Sequence, residues 1–208
     1  LVLLIVMSIR AVLFDMDGTI WDAPIDWLAV RREINVPLDG RPIYMQLMEM
    51  TVQERARGIQ ILERYERFGA ENGTIIDGAE QLVKYLHDLN VKCALVTNNT
   101  RRSVEHVLSR HPLSFDLVLS RDDGPLKPDP KTFLLALNRL GVSPDETVAI
   151  GDAHLDLIAS HRAGIQQFIL VGSKHWAREL LPDGVPYHKA ADLMEARTII
   201  ARLLSEPS

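Results

Sequence analysis

Apolar residues along this chain fall into two kinds of pattern. Short, largely apolar runs (Ala11 to Phe14, Val91 to Val96, Phe115 to Leu119, Thr147 to Ile150 and Ile165 to Val171) read as strands buried on both faces. A strand covered on one side only would alternate apolar with polar positions. Between these runs, apolar residues recur three and four apart: Leu82, Val83, Leu86 and Leu89, then Phe133, Leu134, Leu137 and Leu140. That spacing predicts helices with one buried face, and helices are also expected from Thr100 to Arg110, from Leu155 to Ala163 before Gly164, and from Asp192 to Leu204. Strand and helix in alternation imply right-handed crossovers, hence an α/β fold built on a doubly wound, Rossmann-like parallel sheet. A loop-rich stretch from Gly172 to Ala190 is expected to hold one short strand around Val185 to His188.

The alternation is interrupted once. From Ile20 to Ile76 no convincing strand is expected, and Pro24, Val36-Pro37-Leu38-Asp39-Gly40 and Arg41-Pro42 divide the stretch into helical pieces. The clearest piece runs from Thr51 to Phe68, where Val52, Ala56, Ile59, Leu62, Tyr65 and Phe68 give one apolar face. The expected organisation is a core of residues 1–20 and 77–208 with a small α-helical cap domain, residues 21–76, inserted after the first strand. Asn72-Gly73 and Asp77-Gly78 mark the turns back into the core.

Composition narrows the partners. A length of 208 residues suits one large domain, or a core with a small insert. With 23 basic against 28 acidic residues, a net charge of -5 and no basic run beyond pairs such as Arg31-Arg32, nothing points to a nucleic-acid surface. The single cysteine, Cys93, rules out an internal disulfide and suits a reducing, cytoplasmic setting; its apolar neighbours predict a buried thiol. Leu1 to Val6 are apolar but lack a basic leader, a cleavage site and the length to span a bilayer, so neither a signal nor a membrane anchor is expected. Met7 is the expected natural start, extension of the first strand by the residues before it being the alternative.

The chemistry sits at the strand ends. Ala11-Val12-Leu13-Phe14 stops at Asp15-Met16-Asp17-Gly18-Thr19, and ligands of parallel sheets bind beyond the carboxyl ends of the strands. Two carboxylates that close repel, so either one is protonated or a cation separates them; a hard divalent ion such as Mg2+ suits an all-oxygen site. An Asx-type turn with both aspartates solvated is the plainer alternative. Val91 to Val96 ends in Thr97-Asn98-Asn99-Thr100, where free amides and hydroxyls at a helix start would cradle a phosphate or form an ordinary N-cap. Lys127, between Pro125 and Pro128, is a fixed cation suited to a phosphate, or a solvated loop lysine. Asp152 would complete a carboxylate set for a divalent cation, and Asp156, four residues on, would face the same site from a helix, unless both only initiate that helix. His154 is expected at the surface and is given no role.

In order and at strand ends, Asp15-x-Asp17-Gly18-Thr19, Thr97-Asn98, Lys127-Pro128 and Gly151-Asp152 with Asp156 resemble the four motifs of the haloacid dehalogenase superfamily. The likeness covers the whole expected core and is closest to phosphoglycolate-phosphatase-type members, with a helical cap after the first motif. It implies a phosphatase acting on a small phosphorylated metabolite. Asp15 would be the nucleophile, forming an aspartyl-phosphate, and Asp17 the acid and base. Thr97 and the Asn98 amide would hold phosphoryl oxygens, and Lys127 would neutralise Asp15 and the phosphate. Mg2+ would be bound by Asp15, the Asp17 carbonyl and Asp152, with Asp156 a further ligand or the partner of Lys127. Asp17 argues against the dehalogenases themselves, whose halide leaving group needs no proton. The absence of lysine from residues 20–76 argues against the phosphonatases. A phosphosugar mutase is the alternative; an inactive binding module would be expected to lack a motif residue, and none is missing. Seven arginines between Arg31 and Arg67 lead to the expectation of a small anionic leaving group, although each taken singly suits surface pairing with a nearby glutamate.

Overall fold

A computed structural model describes residues 9–111, 113–172 and 179–205. Leu1 to Val6 and Met7, expected to be neither signal nor anchor and to hold the natural start, therefore lie outside the described residues. Six strands form one parallel sheet: β1 (Ala11–Phe14), β4 (Lys92–Val96), β5 (Leu117–Leu119), β6 (Thr147–Gly151), β7 (Gln167–Val171) and β8 (His188–Ala190), in the order β5-β4-β1-β6-β7-β8. The chain leaves β1 toward β4 and β5, then returns to build the other half from β6, so the strand order reverses beside β1. Such a switch point opens a crevice at the carboxyl ends of the strands.

Alternating side chains of the central strands feed two separate cores. Val12, Phe14, Cys93, Leu95, Val148 and Ile150 enter one cluster, together with Leu82 and Leu86 of α4 (Ala79–Asp88), Val104 and Val107 of α5 (Arg101–Arg110), and Ile200 of the last helix. Ala11, Leu13, Ala94, Val96 and Ala149 enter the other, with Phe133 and Leu137 of α6 (Lys131–Leu140) and Leu157 of α7 (His154–Arg162). Residues one apart on a strand face opposite ways, so these runs must be apolar throughout.

The inserted stretch folds as α1 (Trp27–Ile34), α2 (Ile43–Met48) and α3 (Val52–Asn72) around its own cluster of Ile25, Val30, Ile34, Val36, Ile43, Leu47, Ile61 and Leu62. Thr51 starts α3 with a reciprocal capping box to Glu54. Gly58 lets α2 approach, since a Cβ there would collide with Leu47. Two expectations need correction. The stretch is not free of strand: β2 (Trp21–Asp22) and β3 (Thr74–Ile75) pair antiparallel where the insertion leaves and rejoins the sheet domain. Strands of two residues carry too little periodicity to be read. The short strand expected around Val185 to His188 begins instead at His188, where it pairs with Ile169. The remaining helix, α8 (Leu193–Ser205), closes the described chain. Among the described residues no helix is long and apolar enough to cross a membrane.

Candidate active site

β1 ends at Phe14, and its ladder is continued one step further by the Asp15 amide, which donates to the Ile150 carbonyl at 2.9 Å. Asp15 is thereby fixed at the lip of the central strand. Lys127 arrives from the loop before α6, and its ammonium contacts Asp15 Oδ1 at 2.5 Å, Asp156 Oδ1 at 2.5 Å and the Val96 carbonyl at 2.8 Å. A lysine only 2 % exposed needs such partners, because a buried charge without them is strongly disfavoured. Burial works against its charge, but Asp15 and Asp156 outweigh it and hold Lys127 protonated, above the ordinary lysine range. Burial also pushes the Asp15 carboxyl up to about 6, against the pull of Lys127 and with a further push from Asp156.

Asp15, Asp152 and Asp156 each offer a carboxylate oxygen within 4.8 Å of the others. An all-oxygen set of that compactness fits a hard divalent cation. The close approach of Asp152 depends on Gly18: its φ of 82° suits glycine, and a Cβ there would strike the Asp152 carboxylate. The Asp17 carboxylate is not in this cluster; Asn99 Nδ2 donates to Asp17 Oδ2 at 3.0 Å.

Thr97, the residue after β4, is buried and its hydroxyl accepts the Asn99 amide at 3.1 Å. Asn98 spends its side chain on Lys127, donating to the Lys127 carbonyl at 2.9 Å and accepting the Lys127 amide at 2.9 Å. All seven residues singled out from the sequence, Asp15, Asp17, Thr97, Asn98, Lys127, Asp152 and Asp156, line one cavity of about 190 Å³. Its far wall is made by the insertion, with Trp27, Tyr44, Leu62 and Glu66.

Four residues were missed or misplaced by sequence reasoning. Asn99, which holds Asp17, looked like one more polar residue at a helix start. Arg121, in a tight turn after β5, makes a two-pronged ion pair to Glu66 of α3 at 2.7 and 2.9 Å, with Tyr44 of α2 stacked over its guanidinium at 4.7 Å. The one signal was that Glu66 stands four residues beyond Leu62, a charge on the buried face of a helix. Burial raises the Glu66 carboxyl to about 7 despite Arg121. His154, expected at the surface, is buried at the start of α7, and its Nε2 meets the Gly40 carbonyl of the insertion at 2.6 Å. Burial lowers its pKa from the ordinary imidazole range.

Of the seven arginines in the insertion, Arg31 alone lines this cavity. Arg41 pairs with Asp39 and Glu49, Arg64 with Glu33 and Arg32 with Asp26, as solvated surface pairs. Arg55 donates to the Met50 carbonyl.

The sequence profile of haloacid dehalogenase-like hydrolases matches residues 9–164. N-acetylmuramic acid 6-phosphate phosphatase of Pseudomonas aeruginosa is 27% identical over 90% of this chain and 91% of its own. Phosphoglycolate phosphatase of Pseudomonas fluorescens is 26% identical over 76% of this chain and 67% of its own. The crystal structure of a hydrolase from Pseudomonas syringae superposes with a TM-score of 0.75 at 22% identity, covering 94% of this chain and 100% of that one, a likeness of fold. A profile match across three-quarters of the chain, set on the same strand ends that gather the aspartates, the lysine and the threonine, makes this protein a member of the haloacid dehalogenase-like hydrolase family.

Proposed function

We propose that the protein is a Mg2+-dependent phosphomonoester hydrolase that works through an aspartyl-phosphate on Asp15, its core of residues 1–20 and 77–208 carrying the chemistry and residues 21–76 acting as the cap. The observation that carries the reading is the single ammonium of Lys127 bridging Asp15 and Asp156 at 2.5 Å each, beside a third carboxylate, Asp152. A group placed so holds the nucleophile still and offsets the charge of an incoming phosphate. The names of its relatives as phosphatases support the same class.

An oxygen of the Asp15 carboxylate attacks phosphorus while the bond from phosphorus to the leaving oxygen breaks. Asp17 gives that oxygen its proton, and the leaving group departs as a neutral alcohol. Asp17, now ionised and oriented by Asn99, takes a proton from water, whose oxygen attacks phosphorus and releases Asp15 and inorganic phosphate. The Thr97 hydroxyl and the backbone amide of Asn98 hold phosphoryl oxygens, and the side chain of Asn98 keeps Lys127 in place. Asp15, Asp152, Asp156 and the backbone carbonyl of Asp17 would hold the cation, which when bound neutralises charge on the phosphoryl oxygens.

Hydrolysis of p-nitrophenyl phosphate tests the reading. Turnover is expected with Mg2+, loss with EDTA, and recovery on adding excess Mg2+. Acid quenching of a labelled substrate should trap the phosphoryl group on Asp15. Turnover that survives thorough chelation, or label on any other residue, overturns the mechanism.

A further inference from the structure

The phosphatase reading leaves the leaving group unnamed, and the seven insertion arginines suggested an anionic one. The charges of the cavity wall favour the opposite. Arg31 is held back by the loop it supports: Nη1 donates to the Pro37 carbonyl at 2.6 Å and Nη2 to the Arg41 carbonyl at 2.7 Å. Arg121 has both terminal nitrogens on Glu66 and one face under Tyr44. Its pair with Glu66 is almost fully enclosed, the two side chains being 6% and 5% exposed. Asp22 adds a second carboxylate to the same wall.

Charge over the whole cavity runs the same way. Six carboxylates line it against three cations, and Lys127 is spent on Asp15 and Asp156. One divalent cation and one phosphate dianion leave it still negative, so a further carboxylate on the leaving group would enter against repulsion in a poorly screened space. What the wall does offer is acceptors and aromatic faces. Each Glu66 oxygen has a lone pair beyond the one given to Arg121, and Trp27 and Tyr44 present rings. Carboxylate acceptors beside aromatic rings suit hydroxyl groups and the C–H face of a carbohydrate.

Resting on the phosphatase reading, we propose that Glu66, by neutralising Arg121, makes this wall select an uncharged, hydroxyl-bearing leaving group, a small polyol or sugar, over a carboxylate-bearing one. The matched probes are glycerol 3-phosphate and 3-phosphoglycerate, which differ in a hydroxymethyl against a carboxylate, with p-nitrophenyl phosphate as reference. The parent protein is expected to favour glycerol 3-phosphate in kcat/KM by about tenfold or more. Glu66→Gln keeps a hydrogen bond to Arg121 but unmasks its charge, and should shrink that ratio about tenfold, mainly through a lower KM for 3-phosphoglycerate. Equal or faster turnover of 3-phosphoglycerate by the parent protein, or no turnover of glycerol 3-phosphate while p-nitrophenyl phosphate is hydrolysed, overturns the proposal and leaves the phosphatase reading standing. An unchanged ratio in folded Glu66→Gln removes Glu66 from it. Failure on all three esters overturns the phosphatase reading itself, and this inference with it.

Discussion

In the sheet domain, Asp15, Thr97 and Asp152 stand directly beyond the ends of β1, β4 and β6, and ladder hydrogen bonds to the Ile150 and Leu119 carbonyls hold the backbones of Asp15 and Thr97. In the insertion, the groups that reach the cavity come from all three helices: Trp27 and Arg31 from α1, Ile43 and Tyr44 from α2, Leu62 and Glu66 from α3. They rest on a cluster of their own, and they meet the core through a few polar links such as Glu66 with Arg121 and Gly40 with His154. Under the proposed mechanism the difference separates two tasks. Reacting groups must be held within fractions of an ångström, which a central parallel sheet supplies; choosing a leaving group requires a wall that can vary without disturbing them.

The sharpest break in that division is Asp15→Asn. The change keeps shape and should leave folding intact, while turnover falls by about four orders of magnitude or more, because a neutral amide is a poor nucleophile. Steady-state rates on p-nitrophenyl phosphate check it, and near-parent activity would place the chemistry elsewhere. Next in size is Asn98→Ala, which deletes both hydrogen bonds that hold the Lys127 backbone. A loss of roughly a hundredfold in kcat is expected with a smaller change in KM, since a misplaced ammonium harms the reacting geometry more than binding. A pure KM effect would make Asn98 a binding residue instead.

Two equally buried leucines then compare the regions in stability. Leu95→Ala in β4 should lower global stability by about 2–5 kcal/mol, seen as a shifted denaturant midpoint. Leu47→Ala in α2 should loosen the insertion first: amide exchange should quicken across residues 27–72 while β1, β4 and β6 keep their protection. Equal quickening everywhere would mean that both regions open as one unit. The smallest effect concerns Cys93. Burial, with Asp116 nearby, pushes its pKa to about 12, so the native thiol should resist alkylation at pH 8 and react only on unfolding. Fast native labelling would show that the sheet breathes at β4.

The periodicity of the core was legible because strands covered on both faces leave a continuous apolar run, as in Ala11–Phe14 and residues 93–96, and few other structures require one. Asp15, Thr97 and Asp152 were legible for a related reason: each follows such a run, so finding the strand found the residue, whereas Lys127 was legible from the prolines on either side of it. The two-residue strands β2 and β3 were not, since their pairing is set by where the insertion leaves and returns. Nor were the partners of Arg121, Asn99 and His154. Glu66 and Arg121 lie 55 residues apart, and nothing local distinguishes a buried arginine from the six insertion arginines that do not line the cavity. Sequence by itself determined the parallel sheet, the polar residues at its strand ends and the resemblance of its motifs to the family, because those rest on local pattern and motif spacing. The tertiary structure alone decided which charges meet, and with them the character of the cavity wall, because the burial and pairing of an ion depend on neighbours that the chain brings together only by folding.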